Sequence, residues 1–238
     1  MIEKDGKLYL IPTRLGDNAP LEVLPISIKK IIESLDEYIV ENEKTARRFI
    51  KRICPSKSQA SLRLHVLNKY TDASQLPLFL KGCEQGEAIG LLSEAGCPGI
   101  ADPGADVVKI AHENDIRVIP LVGPSSILLA LMSSGMNGQQ FTFNGYLPIE
   151  KSERKKELKL LEKISYERNQ SQIFIETPYR NNSMLSDICD ILGKQTSLCI
   201  ASDITLPTEY IKTKTIAQWR HVSVDLHKRP TIFIIQKG

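Results

Sequence analysis

The sequence predicts an α/β fold with a parallel sheet in an N-terminal domain and a mixed sheet in a C-terminal domain. Up to residue 133, short β-type runs alternate with helical patterns at roughly 25–30 residues per unit, as in parallel strands joined by right-handed crossovers. After residue 141 several β-type runs come close together, which favours a mixed sheet. An aromatic strand gives way to a highly charged helix near residue 147, so we place the domains at residues 1–147 and 148–238.

The elements of the N-terminal domain follow from local patterns. Isoleucines and leucines at helical spacing predict a helix over residues 25–35, whereas Pro77 should kink or restart a helix over residues 72–81. Strands are predicted at residues 7–11, 38–40, 62–66, 88–92 and 117–122, and further helices at residues 44–53, 105–114 and 125–133.

The C-terminal domain begins with an aromatic strand at Phe141, a Gly/Pro turn and a charged helix for which Ser152 is the predicted N-cap. A possible hairpin strand spans residues 210–215. The other predicted elements are strands at residues 172–175, 197–201 and 231–236 and a helix at residues 179–192.

Composition narrows the class of protein. The hydrophobic and charged fractions, 42% and 25%, are those of a globular chain, and a net charge of +3 neither requires nor excludes a nucleic-acid partner. The apolar runs are too short to span a bilayer, and no secretory signal is visible, so we expect no membrane association. Five cysteines without CxxC spacing, and scattered histidines, predict reduced thiols in the cytoplasm and no metal site.

Three turns rich in glycine or proline follow predicted strands, at residues 12–17, 93–104 and 123–125. Gly96, Gly99 and Gly104 either supply positive φ angles and close approach to a ligand, or only make a tight connection. Because all three turns fall at the carboxyl edge of one parallel sheet, the ligand interpretation is favoured. The turns lack the GxGxxG and GxxxxGK[ST] patterns, which excludes the standard dinucleotide and P-loop sites.

Five blocks in order carry a family resemblance: YLIPTRLGD, SEAGCPGIADPG, VIPLVGPSSILLAL, FNGYLP and IETPYR. Together they resemble the tetrapyrrole methylase superfamily of S-adenosylmethionine-dependent methyltransferases, and within it the enzymes that methylate a cytidine ribose 2′-hydroxyl of small-subunit ribosomal RNA. The resemblance implies two α/β domains of the tetrapyrrole methylase type, a homodimer, and S-adenosylmethionine in the cleft between the domains.

The resemblance also implies cofactor-binding positions. They are Pro12, Gly96, Cys97, Ile100, Ser126 and Ile127 in the N-terminal domain, and Ile175, Ala201, Pro230 and Thr231 in the C-terminal domain.

Catalytic candidates come from the polar residues of the same loops. The sulfonium is an activated methyl donor, so the protein mainly aligns the reactants, but a ribose hydroxyl benefits from a base or a nearby cation. Glu94, Asp102, Glu176 and Arg180 are the main candidates, with Glu41 beside them. The structural alternatives are a turn cap for Asp102, a backbone cap for Glu94, and a simple ion pair between Glu176 and Arg180.

Two basic clusters bear on an RNA partner, here the ribosomal RNA or the small ribosomal subunit. They lie within residues 47–63 and 151–159 and either neutralise phosphates or form solvated helix faces. No stacking platform of interleaved aromatic residues accompanies them.

Two other functions stay open. One is methylation of a small molecule such as a tetrapyrrole. The other is a catalytically inactive S-adenosylmethionine-binding protein. Three blocks depart from the family pattern, at residues 41–44, 94–98 and 203–206, and the first and the last of them motivate the second alternative.

Overall fold

A computed structural model describes residues 6–238 of the chain. The chain forms two compact units, Met1–Ser125 and Ser126–Gly238. Residues 1–5, which open the predicted N-terminal domain, lie outside the described residues. The domain boundary predicted between residues 147 and 148 lies further along the chain than the division between the units, and it stays a prediction.

The first unit contains a five-stranded sheet in which every pairing is parallel, in the order β3-β2-β4-β1-β5. The parallel sheet predicted from the alternation of strands and helices is thereby confirmed. Tyr38, Ile39 and Val40 are almost fully buried, as expected for a strand covered on both faces. The strands are β1 (Lys7–Ile11), β2 (Glu37–Val40), β3 (Arg63–Val66), β4 (Ala88–Leu92) and β5 (Arg117–Pro120).

The helices of the first unit pack on this sheet as α1 (Pro20–Val23), α2 (Ile26–Ser34), α3 (Glu43–Ile53), α4 (Leu76–Phe79), α5 (Lys81–Glu84) and α6 (Gly104–Glu113). The helical segment predicted over residues 72–81, with a kink or restart at Pro77, is present as short pieces, and a helix does restart at Pro77. A 3₁₀ turn at Ala73–Gln75 precedes α4, with Pro77 in the first turn of α4, and α5 follows separately. Proline has no N–H to donate, so it is accommodated at a helix start and not in the interior.

The order of the strands creates a switch point between β1 and β4. The chain leaves β1 towards β2 on one side of the sheet, and it leaves β4 towards β5 on the other side. Ligands of open α/β sheets bind at the carboxyl ends of the strands where the connections diverge in this way. The loops after Ile11 and Leu92 begin at that place.

The second unit contains a mixed five-stranded sheet in the order β6-β7-β10-β8-β9, which confirms the mixed sheet predicted for the C-terminal part. The pairing of β6 with β7 is parallel, and the others are antiparallel. Phe174 and Phe233 stack in its core with ring centroids 5.8 Å apart. The strands are β6 (Phe141–Tyr146), β7 (Ser171–Ile175), β8 (Ser197–Ser202), β9 (Tyr210–Thr215) and β10 (Thr231–Gln236).

The helices of the second unit are α7 (Ser126–Ser134), α8 (Lys151–Arg168), α9 (Asn181–Ile191) and α10 (Ile216–Trp219). The predicted N-cap of α8 is wrong, because Ser152 lies inside the helix. Glu150 is the N-cap, and its carboxylate accepts hydrogen bonds from the N–H of Glu153 and the hydroxyl of Ser152. A carboxylate at this position also interacts favourably with the helix dipole.

Among residues 6–238, no helix combines the length and the apolar character needed to cross a membrane.

Candidate active site

The loops after β1 and β4 are joined at the switch point by a two-hydrogen-bond bridge. The N–H of Thr13 donates to the carbonyl of Gly96 at 2.9 Å, and the N–H of Gly96 donates back at 3.3 Å. The hydroxyl of Thr13 reaches the carbonyl of Ser93 at 3.2 Å, and the hydroxyl of Ser93 reaches the carbonyl of Gly96 at 2.7 Å. The two loops therefore form one rigid wall.

Gly96 is required in this wall. Its φ is +76°, and a Cβ there would lie 3.2 Å from the side chain of Leu15 and 3.3 Å from the carbonyl oxygen of Pro124. Cys97 follows it, half-buried, with its Sγ 3.5 Å from the same Pro124 oxygen, and burial raises the pKa of the thiol. The loop after β5 thus touches the loop after β4, as expected for three loops at one edge. Ile100 is 53% exposed on the same loop.

Asp102 stabilises the loop after β4 through hydrogen bonds to its backbone. Its Oδ1 accepts hydrogen bonds from the N–H groups of Gly99, at 2.7 Å, and Gly104, at 2.8 Å. Burial raises the pKa of this carboxyl group, although the two N–H groups oppose that change. These contacts are those of the turn cap that the sequence offered as an alternative, and a catalytic role for Asp102 stays a prediction.

Glu94 lies in a small cluster of polar groups above the β2 and β4 strand ends. The hydroxyl of Thr45 donates to Glu94 Oε1 at 2.5 Å, and the N–H of Glu94 donates to Glu41 Oε1 at 3.1 Å. Burial raises the pKa of Glu41, the N–H of Glu94 lowers it, and the charges of Asp102 and Glu94 raise it further. Glu94 itself is exposed, so its carboxylate is accessible to a substrate.

A pocket of about 200 Å³ opens beside this cluster, and all its walls belong to the first unit. Leu15, Ala46 and Phe49 supply apolar surface, while Glu94 and Arg48 supply opposite charges. The lining residues are Thr13, Arg14, Leu15, Gly16, Thr45, Ala46, Arg48, Phe49, Leu92, Ser93 and Glu94.

Of the pocket residues that come from α3, Arg48 was named in the sequence only as part of the first basic cluster, and Thr45, Ala46 and Phe49 were missed. Asn42 caps α3 by accepting hydrogen bonds from the N–H groups of Lys44 and Thr45, which fixes Thr45 in the first turn. Arg48 and Phe49 lie one turn later. Their position directly after a strand at the ligand edge was the signal that could have identified them.

In the second unit, the structure brings three of the predicted cofactor positions to one edge of the sheet. Ile175 ends β7, Ala201 lies near the end of β8, and Thr231 begins β10, which is antiparallel to both. The hydroxyls of Ser202 and Thr231 are 2.8 Å apart. Pro230 precedes Thr231, and its carbonyl accepts the N–H of Asp203 at 3.0 Å.

Glu176 and Arg180 form the ion pair that the sequence offered as their structural alternative. Arg180 Nη2 lies 2.6 Å from Glu176 Oε1, which also accepts the N–H of Thr177 at 2.6 Å. The side chain of Glu176 is 2% exposed, whereas that of Arg180 is 36% exposed. Arg180 Nε is buried without a hydrogen-bond partner among the described residues. Catalytic roles for both residues stay a prediction.

Ser126 and Ile127 begin α7 and are half-buried. They follow the β5 loop, as the sequence predicted, and their contact with a cofactor stays a prediction.

The first basic cluster is largely paired with acidic residues. Arg47, Arg52, Lys57 and Arg63 contact carboxylates at 2.8, 2.5, 2.9 and 2.8 Å, respectively. In the second cluster Arg154 is buried, and its guanidinium binds Asp187 at 2.5 Å and the carbonyl of Ile149 at 2.6 Å. Arg154 is therefore neither a phosphate ligand nor part of a solvated face.

Comparison with known proteins identifies the family. No protein-family model matches the chain. The ribosomal RNA small subunit methyltransferase I of Bacillus subtilis is 33% identical over 90% of this chain and 68% of its own length. The protein of the same name from Vibrio cholerae is 27% identical over 89% of this chain and 69% of its own length.

Two solved structures with a similar fold are named methyltransferases, at low sequence identity. The methyltransferase CobJ has a TM-score of 0.62 at 13% identity and covers 98% of this chain and 93% of its own. A uroporphyrin-III C-methyltransferase from Thermus thermophilus, complexed with S-adenosyl homocysteine, has a TM-score of 0.56 at 12% identity and covers 98% of each chain. The fold and the methyltransferase family predicted from the five blocks are confirmed, and the chain belongs to the family of ribosomal RNA small subunit methyltransferase I.

Proposed function

We propose that this protein transfers a methyl group from S-adenosylmethionine to a ribose 2′-hydroxyl of small-subunit ribosomal RNA. One observation carries the proposal: the bridged loops after β1 and β4 meet at the switch point, beside a pocket that Glu94 and Thr45 border. The relatives named ribosomal RNA small subunit methyltransferase I support the substrate class. The related fold that binds S-adenosyl homocysteine supports the cofactor.

The residues at the loops fit S-adenosylmethionine. Gly96 has no side chain, so the loop keeps space beside its backbone that a Cβ would narrow. The buried Nε of Arg180 has no hydrogen-bond partner among the described residues and could donate to a polar group of a ligand. S-adenosylmethionine, when bound, supplies a methyl group that its sulfonium already activates. We propose Pro12, Gly96, Cys97 and Ile100 as its contacts in the first unit, and Ser126, Ile127, Ile175, Ala201, Pro230 and Thr231 as its contacts in the second.

Glu94 is the proposed general base for the ribose hydroxyl. The hydroxyl of Thr45 fixes one carboxylate oxygen of Glu94, which leaves the other oxygen for a substrate proton. Glu41 holds the loop by accepting the N–H of Glu94. A positioned base of this kind contributes about 10²–10⁴-fold to the rate. Thr45 and Glu41 act through Glu94 and are positioning residues.

The exchange Glu94→Gln tests this role. Because glutamine keeps the size of glutamate and an acceptor oxygen for Thr45 but cannot take up a proton, we expect the rate of methyl transfer to fall about 10²-fold or more. The affinity for S-adenosyl homocysteine, measured by calorimetry, should stay unchanged. Glu113→Gln, an exposed glutamate of α6, is the matched control and should behave like the wild type. A Glu94→Gln enzyme with the wild-type rate would exclude Glu94 as the base.

We also propose that the protein works as a homodimer in the cytoplasm. Exposed apolar side chains such as Met132, 78% exposed, and Ile149, 69% exposed, support a protein contact. Light scattering coupled to size exclusion tests the dimer, and a monomeric mass at micromolar concentration would contradict it.

A further inference from the structure

An exposed aromatic ring stands at the edge of the second sheet, next to the strand ends that carry the proposed cofactor residues. Tyr179 is 70% exposed. The ring of His227 meets it edge-on with centroids 5.7 Å apart, and Lys228 Nζ lies 5.9 Å from the tyrosine ring centroid. These three side chains, Tyr179, His227 and Lys228, are called the aromatic platform below.

The loop that carries His227 and Lys228 is fastened to the start of α9. Asn182 donates from its Nδ2 to Asp225 Oδ1 at 2.8 Å and accepts the N–H of Leu226 at 2.8 Å. Asn181, which is fully buried, donates to the carbonyl of Arg229 at 2.6 Å. Two consecutive asparagines therefore hold both ends of the loop.

The backbone at Lys228 is unusual. Its φ is +60°, in the left-handed region that a lysine rarely adopts, and its N–H donates to the carbonyl of Pro178 at 3.0 Å. That bond ties the loop directly to the residue before Tyr179. A conformation of this kind persists only where the surroundings enforce it, and such residues cluster at ligand sites. The loop buries Leu226 in the core of the second unit, while His227 and Lys228 stay exposed.

The chemistry of the aromatic platform matches an unpaired nucleobase. Tyrosine and histidine rings stack on bases with little dependence on sequence, and a cation beside the ring adds attraction to the base and to its phosphate. The ion pairs formed among residues 6–238 do not include Lys228, so its charge is available to a phosphate.

We infer that the aromatic platform binds an unpaired base of the RNA substrate and the phosphate next to it. The inference rests on the proposed function, since it concerns the substrate of the same enzyme. Within the second unit, Thr231 lies three residues after Lys228, and Glu176 lies three residues before Tyr179. A base on the platform would therefore lie beside the proposed cofactor residues of this sheet edge.

The chain offers a matched control. Tyr166 on α8 is 63% exposed and has Lys237 Nζ 6.0 Å from its ring centroid. It is an equivalent tyrosine–lysine pair, but it lies at the other end of β10, near Lys237, and not at the proposed cofactor edge. Tyr166→Ala therefore removes the same kind of surface without touching the aromatic platform.

The test measures the binding of a fluorescent single-stranded RNA of about 12 nucleotides to the full chain by anisotropy. We expect Tyr179→Ala to weaken binding about tenfold, Tyr179→Phe to weaken it less than twofold because the ring remains, and Tyr166→Ala to have no effect. Lys228→Gln should lower the slope of log affinity against log salt by about 0.7, the value for one phosphate of a single strand.

Two results would overturn the inference. One is an RNA affinity of Tyr179→Ala equal to that of the wild type. The other is a loss of affinity for S-adenosyl homocysteine without any loss for RNA, which would assign the ring to the adenine of the cofactor.

A parallel assay of methyl transfer by the wild type to small ribosomal subunits separates this inference from the proposed function. If the wild type transfers methyl groups and Tyr179→Ala binds RNA normally, the RNA-binding role of the aromatic platform is refuted and the proposed function stands. If Tyr179→Ala loses RNA binding and the wild type transfers no methyl group, the RNA-binding role of the aromatic platform is supported and the proposed function is refuted.

Discussion

Gly123 in the loop after β5 is the residue at which the geometry of the ligand edge can be tested most simply. A Cβ at this position would lie 2.2 Å from Cβ and 2.6 Å from Cγ of Pro12. Carbon atoms in contact lie about 3.5–4.0 Å apart, so the two loops must separate by more than about 1 Å in Gly123→Ala. The proline ring is rigid and cannot rotate away, and the backbone must therefore move.

The expected effects are moderate on stability and large on activity. Overpacking of this kind costs about 1–3 kcal/mol, which lowers the melting temperature of a chain of this size by roughly 2–4 °C per kcal/mol. The displaced Pro12 adjoins Thr13, whose bridge to Gly96 forms the wall of the proposed site. Because a misplacement of about 1 Å can cost 10²-fold in rate, we expect methyl transfer to fall by about that factor.

Thermal unfolding measures the loss of stability, while a radiolabelled methyl-transfer assay and calorimetry with S-adenosyl homocysteine measure the effect on the site. Gly138→Ala is the matched control, since a Cβ at Gly138 would meet no atom within 4 Å, and it should leave all three quantities unchanged. Wild-type binding and transfer by Gly123→Ala would refute the assignment of the β1 and β5 loops to the cofactor.

Two further predictions concern stability. Arg154→Met should lower the free energy of unfolding by about 3 kcal/mol, because the buried Asp187 carboxylate loses its guanidinium and, among the described residues, keeps only Lys151 Nζ, 3.5 Å away, as a cation. Urea unfolding should show most of that loss recovered in Arg154→Met/Asp187→Leu. Full stability of the single variant would contradict the buried pair. Burial opposes ionisation of Glu37, but the contacts with His65 and Arg63 outweigh it and hold the pKa of Glu37 below its usual value. The stability this carboxylate contributes is present above the usual glutamate pKa near 4.5 and is lost as the pH falls through the lower folded value, so Glu37→Gln should be less stable than the wild type at pH 7 and closer to it at pH 3. An equal difference between the two proteins at both pH values would exclude this linkage.

The fold was predictable because its signals are local. Apolar runs at strand length, glycine turns after them and helical spacing between them determine a parallel sheet once right-handed crossovers are assumed. The predicted strand at residues 210–215 agrees with the structure for the same reason. Short helices such as α1 and α10 were missed, because four residues carry too little periodicity to be recognised.

The contacts of the site depend on residues far apart in the chain, and no local pattern encodes them. Thr45 and Glu94 are 49 positions apart, and Arg154 and Asp187 are 33 apart. A basic residue in a charged helix is usually solvated, so the burial of Arg154 follows only once α9 is placed beside α8. The same holds for Tyr179, whose partners come from a loop that begins after residue 224.

Methyl transfer to ribosomal RNA is the most direct test of the proposed activity. Purified protein is incubated with radiolabelled S-adenosylmethionine and small ribosomal subunits from a strain that lacks this protein, and the labelled nucleotide is located by mass spectrometry. We expect one stoichiometric methyl group on a ribose 2′-oxygen of the small-subunit RNA, and a loss of that label with Glu94→Gln. No label on the RNA, in a protein that binds S-adenosyl homocysteine, would contradict the proposed activity.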